Sequence, residues 1–184
     1  MLEKVGNNMK STGVVRRVDD LGRIVIPKEI RRNLKIRDGE EVEIYVGNEG
    51  IILKKFSKMA DFSSIAKKII DVVSPLIGKT ILVCDRDVFI AGSGDLKKNY
   101  LGKDISHNVD KSISKGITVV ENNISSIELI DGMYDRYSHI ICPIVSYGDV
   151  IGGVIAFSAN QELLEFDVTV IRLIVQFLEK CVED

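Results

Sequence analysis

Five arginines crowd into residues 15–36, VRRVDDLGRIVIPKEIRRNLKI: Arg16, Arg17, Arg23, Arg31 and Arg32. A guanidinium is permanently charged and presents a planar fork of donors. That fork matches a phosphate, or the edge of guanine, better than an ammonium does. Several of them on one surface can hold a polyanion. The whole chain carries a formal charge of −2, so the cluster is not part of a generally basic protein. Residues 10–37 hold 9 basic and 3 acidic side chains, whereas residues 58–184 hold 13 and 18. One end of the chain is suited to meet an anion and the other is not. A charge run ordinarily marks a solvated face. Here the scarcity of acidic partners favours a binding surface instead.

Chemistry elsewhere is sparse. His107 and His139 are the only histidines, and no cysteine accompanies them in a nucleophile motif. Gly92-Ser93-Gly94 lacks the spacing of a phosphate loop and reads as a turn. Asp85-Arg86-Asp87 reads as a strand-to-strand turn rather than a metal site. Cys84, Cys142 and Cys181 are too scattered for a disulfide framework or a metal site, so the cytoplasm is the expected compartment. No enzyme activity, metal or cofactor is expected. At 45% hydrophobic and 28% charged residues, the composition is that of a globular protein. No stretch near the start reads as a signal peptide. The most apolar window, HIICPIVSYGDVIGGVIAF, is broken by Pro143, Asp149 and two glycines, so no membrane span is expected.

The arginines need elements to position them. Residues 1–8 have no periodicity and are expected to be a flexible tail, with translation starting naturally at Met9. TGVVRRV and RIVI around DDLG predict a β-hairpin over 12–26. Pro27 suits the first position of a short helix, PKEIRRNL, which carries Ile30 and Leu34 on one face and is expected to stop at Gly39. EEVEIYV and IILKKF predict two further strands. This β-β-α-β-β unit is too small for a core of its own and has neither metal nor disulfide. Dimerisation of the N-terminal unit is therefore expected. Arg16, Arg17 and Arg23 then lie on a hairpin and Arg31 and Arg32 on a helix, and a two-fold axis doubles the set into an array suited to duplex DNA.

The stretch from Met9 to Leu34, with EIYV at 43–46 and IILKK at 51–55, resembles the AbrB family of bacterial transition-state regulators. The resemblance implies a mainly β, swapped-hairpin dimeric barrel over residues 9–56. It also implies that Arg16, Arg23, Arg31 and Arg32 face double-stranded DNA with Arg17 and Lys10 as helpers, and that Gly22 and Pro27 are structural.

FSKMADFS marks a boundary, with a linker expected at 57–61. Helical spacing over 61–77 and 162–182 brackets strands at TILVCD, DVFIAGSG, GITVVE and a pair around Tyr147-Gly148-Asp149, with a helix over 105–115. NNISSIELIDGMYDRY reads as a long connection. The order α-β-β-α-β-β-β-α predicts an α+β domain, 62–184, with an antiparallel sheet and terminal helices. The last helix carries one apolar set at Leu163, Phe166, Val170, Leu173, Ile174, Phe177 and Cys181. An adjoining set runs through Leu164, Val168, Ile171, Val175 and Leu178. One sheet face cannot cover both, which predicts a helix bundle between chains and a homotetramer.

The second half is GAF-like in its element order, and its pairing with the first resembles sporulation regulators of endospore-forming bacteria. A GAF-like fold implies a pocket under residues 95–137 for an unidentified small molecule. The expected function is a nucleoid-associated transcriptional regulator of sporulation genes. An antitoxin-like DNA-binding module with a toxin-binding C-terminal region is the alternative.

Overall fold

The computed structural model describes residues 12–47, 50–56, 59 and 62–183. Contacts divide the chain into two compact units, Met1–Glu40 and Glu41–Asp184. Lys10, the tail at 1–8 and most of the expected linker lie outside the described residues.

In the first unit the 12–26 segment turns back on itself at the expected place. The Gly22 N–H donates to the Asp19 carbonyl (3.0 Å) and the Asp19 N–H to the Arg23 carbonyl (3.1 Å). Gly22 sits at φ +76°, a region where a Cβ is penalised, so this glycine is structural. The arms of the turn are not paired as strands within the chain, contrary to the sequence expectation. Val14, Val15, Val18, Ile24 and Val25 all remain exposed on them. A lone hairpin is marginal in water, and among the described residues of the unit these arms have no third strand to lean on.

Helix α1, Lys28–Asn33, follows. Pro27 stands at its cap rather than its first turn, and its carbonyl accepts the Arg31 N–H at 3.0 Å. The helix ends before Gly39. Lys35 takes φ +53°, its N–H bonds the Arg32 carbonyl (3.1 Å), and the Ile36 N–H bonds the Arg31 carbonyl (2.8 Å). That is a Schellman stop built on a lysine, which leaves Arg31 and Arg32 in the last turn, where the helix dipole favours cations.

The second unit opens with an antiparallel hairpin, β1 (Val42–Gly47) and β2 (Gly50–Lys55). Its register pairs Ile44 with Leu53 and Val46 with Ile51, and all four are exposed. Helix α2 (Ser63–Ile77), strands β3 (Thr80–Cys84) and β4 (Phe89–Ser93), a 3-10 turn (Lys97–Asn99) and helix α3 (His107–Ser114) come next. Strands β5 (Val119–Ile130), β6 (Met133–Ser146) and β7 (Asp149–Ser158) precede the long helix α4 (Glu165–Glu183). The sheet runs β4-β3-β7-β6-β5, antiparallel throughout.

Both faces of the sheet are covered at β3, β7 and the second half of β6, which is why those stretches read as continuous apolar runs. Ile81, Val83, Ile140, Ile144, Val154 and Ala156 pack under α2 and α4. Leu82, Phe89, Ile141, Ile155 and Phe157 face the other way, toward α3 and Tyr100. Gly152 is required by close approach, because a Cβ there would stand 2.2 Å from the Cys84 carbonyl oxygen.

NNISSIELIDGMYDRY is not a connection. It is the rest of β5, a tight turn, and the start of β6. Glu121 pairs with His139 and Ser125 with Tyr137, so β5 takes four steps where β6 takes two. A bulge of this kind breaks the two-residue alternation by which a strand is recognised. Among the described residues no helix is long and apolar enough to cross a membrane.

Candidate nucleic-acid interface

Arg16, Arg17, Arg23 and Arg32 are exposed and Arg31 is half-buried, all within the first unit. Arg16 and Arg17 stand on the first arm, Arg23 begins the second, and Arg31 and Arg32 close α1. Local structure thus places five of the six expected residues on one compact unit; Lys10 falls outside the described part.

Two of these arginines are held by carboxylates of their own loops. The Arg23 Nε donates to Asp19 Oδ2 at 2.7 Å. Asp19 Oδ1 at the same time accepts the backbone N–H groups of Leu21 (3.0 Å) and Arg23 (2.8 Å). These contacts, the Arg23 backbone N–H first and its guanidinium second, hold the Asp19 carboxyl below the ordinary carboxylate range. Arg31 Nη1 pairs with Asp38 just beyond the helix stop. Arg16 reaches only the neighbouring Val15 carbonyl, at 3.0 Å. Among the described residues no carboxylate pairs with Arg16, Arg17 or Arg32. The unit therefore offers two oriented guanidiniums and three that can reach for phosphate.

Asp19 and Asp38 are not legible in the sequence as site residues. DDLG announces a turn, and the sequence does not say that its first carboxylate also grips a guanidinium four residues on. Asp38 meets Arg31 only because the chain turns at Lys35.

The other candidates resolve into structural roles. Asp85 Oδ1 accepts the N–H groups of Asp87 (2.7 Å) and Val88 (2.8 Å), closing the turn between β3 and β4. Asp87 pairs with Lys55, and Arg86 bonds Asp110 and Ser114. The His107 N–H donates to Asp131, while His139 is buried on β6 with its pKa lowered by desolvation. Gly94 turns the chain at the end of β4 with φ +99°. Among the described residues no group of three or more metal-ligating side chains converges.

The sheet face beneath residues 95–137 is filled by the chain's own rings. Tyr100 meets Phe89 and Phe157 edge-on, with centroids 6.0 and 5.4 Å away. Its hydroxyl lies 2.8 Å from Asp135 Oδ2 and 3.0 Å from the Tyr137 hydroxyl. Burial pushes both phenols up from the ordinary range. A cleft of about 380 Å³ between the end of α2 and β3–β4 is lined by Ser74, Thr80, Ser93 and Lys97. Ser74 donates to the Lys79 carbonyl and Thr80 accepts the Leu96 N–H, so those hydroxyls serve the fold.

Residues 61–183 match the family model described as stage V sporulation protein T C-terminal, transcription factor. Residues 15–60 match the model described as antidote-toxin recognition MazE, bacterial antitoxin. The chain is 43% identical over 177 residues to stage V sporulation protein T of Bacillus subtilis strain 168, covering 95% of this chain and 99% of that one. It is 62% identical over 48 residues to the transition state regulatory protein AbrB of the same organism, covering 26% of this chain and 50% of that one. A cyanobacteriochrome receptor PixJ structure, 14% identical with a TM-score of 0.52, covers 69% of this chain and 98% of that one. That last likeness is one of fold, and it makes the C-terminal half GAF-like.

Proposed function

The chain belongs to the stage V sporulation protein T family of transcription factors, and on that footing we propose that it is a DNA-binding regulator of sporulation genes. Residues 9–56 are the DNA-binding half, 57–61 the linker and 62–184 the half that assembles copies. The observation that carries the reading is the set Arg16, Arg17, Arg23, Arg31 and Arg32 gathered on one compact unit, with Lys10 proposed as their helper. Its place in the cell is the nucleoid.

Two chains make one DNA-binding body. The apolar residues left uncovered on the 12–26 arms, and separately on β1–β2, are the surface that a partner's strands bury. The GAF-like half joins these dimers. Helix α4 turns Ile171, Ile174, Val175 and Leu178 to the sheet and leaves Phe166, Leu173 and Phe177 exposed. With half-buried Val170, the outward stripe runs in steps of four, three and four, the spacing of a helix–helix seam. Helix α2 repeats those steps through Ile65, Ile69, Val72 and Leu76, the last two exposed. A bundle of such helices makes a tetramer with two DNA-binding heads. The sheet's other face is packed with aromatic rings, so the reading rests on assembly rather than on a bound small molecule, and it is non-catalytic.

The antitoxin reading has one observation in its favour, the match over residues 15–60. The remaining two thirds of the chain is a folded sheet matching the sporulation family, so regulation is the better account.

The test is binding to a fluorescent duplex across a salt series. Roughly four phosphate contacts per half give a slope of about −7 in log K against log salt, from ~0.9 per neutralised phosphate. A flat slope, unchanged by Arg32→Ala, refutes the proposal.

A further inference from the structure

Arg23 is the one arginine of the set whose guanidinium is tied to a carboxylate that is itself immobilised. Asp19 Oδ1 is pinned by two backbone N–H groups, those of Leu21 and Arg23. Its Oδ2 takes the Arg23 Nε at 2.7 Å. The carboxylate cannot swing without opening the turn, so the Nε edge of the guanidinium is held from a fixed point. Arg23 is 70% exposed on its side chain, and among the described residues the guanidinium has no second partner. Its two terminal amino groups are therefore the part left to solvent, as a fork of set direction.

We propose that Asp19 is a specificity-determining positioning residue, which aims the terminal amino groups of Arg23 as a bidentate fork at a base edge in duplex DNA. The inference rests on the DNA-binding reading and deepens it. Phosphates are abundant and tolerate a wandering cation, whereas a base edge is read only by donors at a fixed angle. An exposed ion pair does little for stability in water, so the consequence of this one lies in orientation. It also brings a negative charge toward the DNA backbone, which weakens indiscriminate attraction to phosphate. A contact serving only affinity would be better without that carboxylate. Arg16, Arg17 and Arg32, without such a clamp, are the set's phosphate-seeking members.

The test uses the full chain. A preferred duplex is selected by the wild-type protein from a random-core library, and a shuffled duplex of the same composition serves as reference. Fluorescence anisotropy gives the ratio of the two dissociation constants for wild type, Arg23→Ala, Asp19→Asn and the double variant. Asparagine keeps the Oδ1 acceptor for the turn and removes the charge that grips Nε. Asp19→Asn should cut the ratio by roughly 5- to 100-fold, the worth of one bidentate base contact, without weakening binding to the shuffled duplex. The double variant should discriminate no worse than Arg23→Ala alone, because Asp19 acts through Arg23. Arg23→Lys, which leaves the turn intact, should lose discrimination as fully as Arg23→Ala does; it decides the matter if Asp19→Asn does not fold.

An unchanged ratio in Asp19→Asn, a further loss in the double variant, or full discrimination by Arg23→Lys overturns the proposal while leaving DNA binding standing. A wild-type chain that binds neither duplex overturns the DNA reading, and this proposal with it.

Discussion

The two halves of the chain treat charge and apolar surface in opposite ways. In the described part of the first unit Arg16, Arg17, Arg23 and Arg32 are exposed, and Val14, Val15, Val18, Ile24 and Val25 of the arms lie uncovered. In the second half, both faces of the sheet's centre are sealed and most buried polar groups have partners, the Ser146 hydroxyl on β6 being an exception among the described residues. Lys79, almost fully buried, bonds Gln161 (2.8 Å) and lies 3.7 Å from Asp167. The Val145 N–H, freed by a bulge between β6 and β7, is taken up by the Glu179 carboxylate at 2.8 Å. The second half covers most of its apolar surface with its own helices, and the first leaves the apolar residues of its arms exposed. A substitution in one half should therefore change a different observable from a substitution in the other.

The largest expected effect is on stability alone. Phe157→Ala removes a fully buried ring from between Tyr100 and Tyr137. It should cost about 3–5 kcal/mol in denaturant unfolding. Arg17→Ala and Arg32→Ala should shift the same curve by less than about 0.5 kcal/mol. Equal losses in the two halves would erase the contrast.

Assembly comes next. Phe177→Glu changes the outward stripe of α4, not its buried one. It should leave the melting profile nearly intact, turn the proposed tetramer into a dimer by light scattering, and weaken binding to a long duplex about 100-fold through lost effective concentration. A tetramer that persists would sink the bundle.

Single arginines follow. Arg32→Ala should weaken every duplex by about tenfold and lower the salt slope by about one unit. Loss confined to one sequence would make it a base reader instead of a phosphate contact.

The smallest effect is one of pH. Burial lowers the pKa of His139 from 6.5 against the pull of the Tyr137 carbonyl and Glu121. The folded state thus resists a proton that the unfolded state accepts. Stability is full above about pH 6.5 and falls as pH drops through the lower folded value. Replacing the imidazole, as in His139→Gln, should flatten that part of the stability–pH curve, read as the urea midpoint at pH 7.5 against pH 5.5. A slope that survives the substitution belongs to other groups.

Much of this architecture is legible in residue type and spacing. The two apolar sets of the last helix stand out as 3- and 4-residue steps. That one sheet cannot cover both is a matter of width; Phe166, Leu173 and Phe177 of the first set are exposed, but Leu163 and Ile174 of that set are buried and Leu164 of the other is exposed. The turn at Asp19–Gly22 follows from residue chemistry. The stop of α1 does not fall at Gly39, the usual C-terminal residue type, because the left-handed position is taken by Lys35. The length of β5 is hidden by its bulge, which breaks the alternation that marks a half-exposed strand in a sequence.

What the sequence determined by itself is local or cumulative: where charge gathers, which segments have helical or strand periods, and which residues can turn the chain. These depend on residue type and on spacing of a few positions. Only the tertiary structure decided which stripe of α4 meets the sheet, that Lys55 pairs with Asp87, and that Tyr100 shares hydroxyl bonds with Asp135 and Tyr137. Those contacts join residues about thirty or more positions apart, and spacing carries no information about partners brought together only by the fold.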